Sequence, residues 1–252
     1  MNTPMKKLVL LPGMDGSAEL LRGFVAALPE GLTAETLWYP PERWMDYRDL
    51  AGTLRGALTV DEPFVLVAES FGVPLAILIA ALDPPNLKGM VLCAGFATSA
   101  LRGWRRELVW ELAPLLSHAT MPGFVVKHWM VGDEVPEAVV ESVAGAVSWV
   151  TPKVLSKRVR EVLHVDVRGE LAQVKVPILY VQPRMDRLVN AACAAEMVTA
   201  KAGRVVAIDG PHLLMQSKPV LCAKAVAEFV AELDGENETD GGRAQVITSD
   251  AY

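Results

Sequence analysis

Cysteine is scarce in this chain: three residues in 252, Cys93, Cys193 and Cys222. An odd count, spread over segments that read as strand or helix, excludes a disulfide-built scaffold and fits reduced, buried thiols in a reducing, cytoplasmic setting. Long apolar runs are missing as well, since no stretch reaches the roughly 18 residues that would span a bilayer, and no membrane span is expected. Two lysines do precede the apolar residues 8–11, but that run is too short for a signal-peptide core and stops at Pro12-Gly13, so it reads as a first strand. Positive charge is in deficit, with 24 Lys and Arg against 30 Asp and Glu and a net charge of −6. Without a basic face to neutralise phosphates, nucleic acid is excluded as a partner. The chain has four histidines, none placed with another His or Cys at ligand spacing, so no metal site is expected. It also lacks a phosphate-binding glycine motif, and no nucleotide cofactor is expected.

What the chain has in quantity is Ala, Val and Leu, and hydrophobic residues make up 52% of it, enough for one compact domain with a large core. Short β-branched runs bounded by turn residues alternate with stretches of helical periodicity, the pattern of a mostly parallel sheet flanked by helices. The runs predict strands at residues 7–11, 33–38, 64–68, 89–93, 178–182 and 204–208. Helices are predicted at 18–28, with Ser17 as N-cap, and at 47–58, 71–82, 191–201 and 217–233. Residues 96–174 break the rhythm with several helix-like segments and no convincing strand, and read as a helical insertion into a core of residues 1–95 and 175–234. Four of the six tryptophans, Trp104, Trp110, Trp129 and Trp149, fall in the insertion with Met121 and Met130. They either pack down on the sheet or line an acyl-sized pocket. Residues 235–252 lose all periodicity and read as a disordered tail. Asn237-Glu238-Thr239 fits a glycosylation sequon, discounted without a secretory signal.

Chemistry concentrates first at Phe64-Val-Leu-Val-Ala-Glu-Ser70-Phe-Gly, an apolar strand that ends in a Ser and continues at once as an Ala-rich helix. A Ser there is forced into a tight strand-to-helix turn that exposes its hydroxyl and demands small residues two positions to either side, here Ala68 and Gly72. The turn also aims the next helix N-terminus at the site, making the Phe71 N–H a donor held in place before reaction. Three further segments stand at predicted strand ends. These are Pro12-Gly-Met14-Asp-Gly16-Ser after the first strand, Pro183-Arg-Met-Asp186 after the fifth, and Asp209-Gly-Pro-His212-Leu-Leu after the last. Taken singly, the Ser, the Gly-rich loop and the His each have an ordinary structural reading: a helix-capping Ser, a Gly-rich turn, a structural His.

In this order the segments resemble the α/β-hydrolase family. Its elbow G-x-S-x-G is written here as Ala68-Glu69-Ser70-Phe71-Gly72, with Ala for the first Gly. The loop after the first strand matches the family's oxyanion loop, with Pro12 in place of its His, and the resemblance makes the Met14 N–H the second oxyanion donor. It makes Asp186 the acid, although the usual preceding Gly is replaced by Pro183-Arg184-Met185, and it makes His212 the general base. The alternative place for the acid, after the preceding strand, offers no carboxylate in residues 94–99. Asp166 lies before a strand and reads as a surface or helix-capping acid, and His118, His128 and His164 read as structural. Nucleophile, acid and base then follow the family's order, each at the C-terminal end of a strand, where ligands meet parallel sheets. The resemblance covers residues 6–233 and implies a helical cap inserted after the family's sixth-strand position.

The implied activity is serine hydrolysis of a carboxylic ester, a small-molecule substrate with a small to medium apolar acyl group, through an acyl-enzyme. A thioesterase, a C–C bond hydrolase or an acyltransferase would carry the same triad, and a non-catalytic ligand-binding member of the fold would keep it unused. Halide displacement would need a carboxylate nucleophile, which Ser70 excludes.

Overall fold

The computed structural model describes residues 6–58, 61–99, 101, 104–112, 123–132, 135–199 and 203–236. Six strands form one sheet in the order β2-β1-β3-β4-β5-β6, every neighbouring pair parallel. They are β1 (Lys7–Leu11), β2 (Thr33–Thr36), β3 (Phe64–Glu69), β4 (Leu87–Cys93), β5 (Ile178–Pro183) and β6 (Gly203–Ile208). The helices are α1 (Arg22–Ala26), α2 (Tyr47–Ala57), α3 (Gly72–Ala81), α4 (Trp104–Leu112), α5 (Gly123–Val125), α6 (Glu137–Trp149), α7 (Pro152–His164), α8 (Arg168–Leu171), α9 (Ala192–Thr199), α10 (Leu214–Ser217) and α11 (Pro219–Glu236). A π-helical stretch, Val126–Val131, continues α5.

The sheet is covered on both faces, and the two-residue period of a strand decides which side chain goes where. Leu66 and Ala68 of β3, with Val9 and Leu11 of β1 and Met90 and Leu92 of β4, face α2, α3 and α9. Val65 and Val67, Leu8 and Leu10, and Val91 and Cys93 face α1, α10 and α11. Helix α3 is apolar all round and buried from Gly72 to Ala80, as a helix packed onto the centre of the sheet must be. The chain starts at β1, steps outward to β2, then reverses across β1 to β3. That reversal makes the C-terminal ends of β1 and β3 the topological switch point, the place where parallel sheets bind ligands.

The strand predictions hold with boundary changes: β2 stops at Thr36 and β4 begins earlier, at Leu87. Two helix predictions need correction. The first helix is a 3₁₀ turn, Glu19–Leu21, followed by the short α1. Its N-cap is Ala18, while the Ser17 hydroxyl accepts from the Glu19 N–H at 3.3 Å and donates to Asp15. The predicted helix 217–233 is α11 and begins two residues later, at Pro219, which suits a first turn; a separate short helix, α10, precedes it and ends there because Pro219 has no N–H to continue it. Helix α11 runs on to Glu236, so residues 235 and 236, assigned to the tail from sequence, are helical. The rest of that tail, 237–252, with the Asn237 sequon, lies outside the described residues.

Between β4 and β5 the described residues form helices α4 to α8 and no strand, only an isolated bridge between Thr98 and Asp166. Val126, Val131, Val140, Val143, Val147, Val154 and Leu155 form a cluster that also takes in Leu20 and Leu213 from the sheet side. Two tryptophans do not pack down on the sheet: Trp129 and Trp149 are 41% and 68% exposed. Trp110 packs its ring edge-on against His164, with the Arg160 guanidinium over its face. The side chain of Trp104, and all of Met121 and His118, fall outside the described residues. Among the described residues no single helix is long and apolar enough to cross a membrane.

Candidate active site

Ser70 follows the last residue of β3 and takes φ = +50°, the left-handed region that L-residues with a Cβ enter at a cost. Two backbone hydrogen bonds hold it there: the Ser70 N–H donates to Cys93 O at 2.9 Å, and its carbonyl accepts from Val73 N–H at 3.0 Å. The small residue at position 72 is a steric necessity. A Cβ on Gly72 would lie 2.6 Å from Leu11 O and 2.7 Å from Pro12 O, so the start of α3 can approach β1 only as glycine. Ala68, where the motif has its other glycine, is buried inside β3 and paired with Leu11 and Leu92.

The structure brings three predicted residues into one hydrogen-bonded series. Ser70 Oγ lies 2.8 Å from His212 Nε2, and His212 Nδ1 lies 2.8 Å from Asp186 Oδ2. The Asp186 Oδ1 accepts from the Leu188 and Val189 N–H groups at 2.8 and 2.9 Å, so both carboxylate oxygens are engaged. The missing glycine before Asp186 does not misplace the acid. Arg184 and Met185 donate their N–H groups to Ile208 O and Gly210 O, which moors the loop on the strand end beside it. The side chains of His212 and Asp186 are 4% and 6% exposed. Burial lowers the His212 pKa, but the Asp186 charge and hydrogen bond, with Glu69 behind them, outweigh it and leave the imidazole above its ordinary value.

Met14 lies in a turn closed by Gly16 N–H to Gly13 O at 3.1 Å, with Gly16 at φ = +72°. Phe71 is the N-cap residue of α3, buried, its ring stacked on Tyr47 at 4.6 Å. Among the described residues, neither the Met14 nor the Phe71 N–H donates to a protein acceptor. Asp166 is exposed and paired with Arg168, whose N–H it also accepts at the start of α8. His164 bonds to Arg160 O, and His128 meets Arg187. Among the described residues no group of three or more His, Cys, Asp or Glu side chains is gathered as a metal site requires.

Sequence reasoning missed the buried polar residues around this series. Glu69, the x before Ser70, is 2% exposed; it accepts from Gln216 Nε2 at 2.8 Å and from the Met215 N–H at 3.4 Å, tying β3 to the helix that follows His212. Burial raises its carboxyl from 4.5 to about 7 against those hydrogen bonds and the nearby imidazole. Asp15 is 3% exposed, and burial raises it too, against hydrogen bonds from Ser17. A carboxylate next to Ser70 at the end of an apolar strand was a visible signal for Glu69. Nothing in the sequence distinguished Arg158, 1% exposed, from the other cations of α7.

No curated protein matches the sequence significantly. Solved structures do match. A hydrolase from Oleispira antarctica is 12% identical, covers 92% of this chain and 93% of its own, and superposes with a TM-score of 0.79. An esterase from Exiguobacterium antarcticum is 15% identical over 90% and 92%, with a TM-score of 0.77. The enol-lactonase from Burkholderia xenovorans LB400 is 17% identical over 91% and 92%, with a TM-score of 0.74. At these identities the structures speak for the fold alone. The sequence model of the alpha/beta hydrolase family, however, matches residues 8–225, nearly the whole of the chain described above. By sequence model and by fold, the chain belongs to the alpha/beta hydrolase family.

Proposed function

We propose that this chain is a serine hydrolase that cleaves carboxylic esters through an acyl-enzyme, with Ser70 as nucleophile, His212 as general base and Asp186 as the acid that orients it. The observation that carries this reading is the unbroken series Ser70 Oγ, His212, Asp186 with both links at 2.8 Å. His212 Nε2 takes the hydroxyl proton as Oγ attacks the ester carbonyl, and Asp186 keeps the Nδ1 proton in place and stabilises the imidazolium. The Phe71 and Met14 N–H groups, without protein acceptors among the described residues, hold the oxyanion of the tetrahedral intermediate. His212 then gives its proton to the leaving alcohol, and a water activated by the same imidazole releases the acid. The esterase and enol-lactonase among the structural neighbours act on the bond class this chemistry serves.

Residues 96–174 serve in this reading as a cap over the strand ends. Supporting it, Leu213 N–H, next to His212, donates to Met130 O at 2.8 Å, and Arg187, next to Asp186, donates to His128 O at 2.7 Å. The apolar cluster that Met14 and Leu213 join on that side favours an apolar acyl group. The test is a series of p-nitrophenyl esters of increasing chain length beside a matched thioester, with fluorophosphonate labelling of the wild type and Ser70→Ala. Stoichiometric labelling lost in Ser70→Ala, with ester hydrolysis reduced by several orders of magnitude, is the expected result. Full esterase activity in Ser70→Ala would overturn the assignment, and a flat response to chain length would remove the apolar acyl preference.

A further inference from the structure

Arg158 projects from α7 and is, among the described residues, the largest fully buried side chain, 1% exposed. A buried guanidinium ordinarily has a carboxylate partner, because an unpaired charge out of water is costly. Here, among the described residues, its hydrogen bonds go to two backbone carbonyls and no carboxylate: Nη1 to Met14 O at 2.7 Å and Nη2 to Pro40 O at 2.9 Å. Its plane lies over the rings of Tyr39 and Phe71, with centroids at 5.6 and 5.8 Å. The turn at residues 13–16 is shaped to receive it. A Cβ on Gly16 would lie 3.0 Å from Arg158 Nη1 and 2.8 Å from the Tyr39 ring, so the guanidinium and the turn meet only across a glycine.

The consequence for Met14 follows from peptide geometry. A peptide unit is planar and trans, so holding a carbonyl also aims the N–H of the next residue the opposite way. The Gly13 carbonyl, accepting from Gly16 N–H, holds the plane that carries the Met14 N–H. The Met14 carbonyl, accepting from Arg158, holds the next plane. With both planes held, φ and ψ at Met14 have no remaining freedom. Pro12 O, bonded by the Tyr39 hydroxyl at 2.9 Å, and Gly16 O, bonded by the Tyr39 N–H at 2.9 Å, are held from the same side.

We propose that Arg158 is a positioning residue for the oxyanion site, holding the Met14 carbonyl from α7 so that the Met14 N–H stays aimed at the negative charge that forms when Ser70 attacks. This rests on the assignment of Ser70 as nucleophile and Met14 as oxyanion donor. Arg158 touches neither substrate nor Ser70 and acts through the turn. Its fixed positive charge, beside Met14 and Phe71 in a dry environment, favours an oxyanion in the same place. In this reading α7 is part of the scaffold that shapes the oxyanion site.

The experiment compares wild type, Arg158→Met and Arg158→Lys as full chains. It measures kcat and KM for p-nitrophenyl butyrate, inhibition by an alkyl trifluoromethyl ketone, and melting temperature, with active sites counted by fluorophosphonate titration. The ketone forms a hemiketal oxyanion on a nucleophilic serine and so reports on the oxyanion site directly. Arg158→Met is expected to lower kcat per titrated site by about 30- to 300-fold, at or somewhat below the roughly 100- to 1000-fold of a lost oxyanion donor because the donor is loosened and not removed, with KM changed less than about twofold. Affinity for the ketone falls by a similar factor. Arg158→Lys, which keeps the charge but reaches one carbonyl instead of two, falls between. A residue that only stabilises the fold would lower the melting temperature and leave kcat per site and ketone affinity unchanged, and that result overturns the proposal. If Arg158→Met does not fold, the same two readouts on Arg158→Lys decide. A wild type with neither hydrolysis nor labelling at Ser70 would instead overturn the functional assignment itself, and this proposal with it.

Discussion

His212 is held by Asp186 through one carboxylate oxygen, at 2.8 Å from Nδ1, while the other oxygen is occupied by the N–H groups of Leu188 and Val189. The acid therefore cannot rotate away without breaking two backbone hydrogen bonds, and the imidazole keeps its Nε2 turned to Ser70. Asp186→Asn retains the shape but loses the charge. The expected outcome is a folded protein with kcat lowered by about 10⁴. The acid limb of kcat/KM should also move. Asp186 raises the His212 pKa, so the wild type gains its basic, active imidazole only above the ordinary value, and the Asn variant should gain it at lower pH. A pH–rate profile of both proteins checks this, and an unmoved limb would show that another group controls the titration.

The strained backbone at Ser70 makes a second prediction. Its φ of +50° suits glycine, so Ser70→Gly should be more stable than Ser70→Ala by about 1 kcal/mol, with both expected to lack activity under the proposed function. Thermal or urea unfolding of the pair measures the difference. Equal stability would mean that the turn relaxes once the hydroxyl is gone.

Glu69 sets a third. Its carboxyl titrates at about 7 in the folded chain against 4.5 unperturbed, so the folded state binds more protons than the unfolded state between those values. Stability is therefore lost as pH rises through this window, on the order of 3 kcal/mol when the group is fully ionised. Glu69→Gln has no carboxyl to ionise and keeps an oxygen to accept from Gln216. Its melting temperature should exceed that of the wild type at pH 8 and show no such gain at pH 5. A gain that is the same at both pH values would sink the explanation.

Gly72 sets a fourth. A methyl there meets the carbonyls of Leu11 and Pro12 at 2.6 and 2.7 Å, and backbone does not yield as a side-chain tip would. Gly72→Ala should cost about 1 to 3 kcal/mol in chemical denaturation and displace the turn that carries Ser70, lowering esterase activity with it. Gly52, with open space around its Cβ position, is the matched control and should tolerate Ala.

Much of this was readable from residues in order. The inner strands β1, β3 and β5 announce themselves as short apolar runs, because burial on both faces of a parallel sheet leaves little room for a polar position in mid-strand, whereas β2, Thr-Ala-Glu-Thr at the sheet edge, is half exposed. The elbow is local chemistry: Ser70 follows β3 directly, and the small residues around it are demanded by contacts within a few residues and one strand away. The short helix α10 was overlooked, because four residues are too few for a helical period to register. The exposure of Trp129 and Trp149 was not readable for a different reason. Large aromatic rings normally become buried, and whether a helix of the insertion turns such a ring inward depends on partners that no local pattern records.

The sequence by itself determined the alternation of strand and helix, the turn that exposes Ser70, and the chain order of Ser70, Asp186 and His212, since each of these is written in neighbouring residues. Only the tertiary structure decided that Ser70 and His212, separated by 142 positions, meet at 2.8 Å. It alone decided that Glu69 points under the His212 loop, and that Arg158, one cation among several on an amphipathic helix, is the one turned inward onto Met14. The physical reason is range. Propensity and periodicity act over a few residues, whereas these contacts form only when the sheet has brought its strand ends together and the helices of residues 96–174 have packed against them.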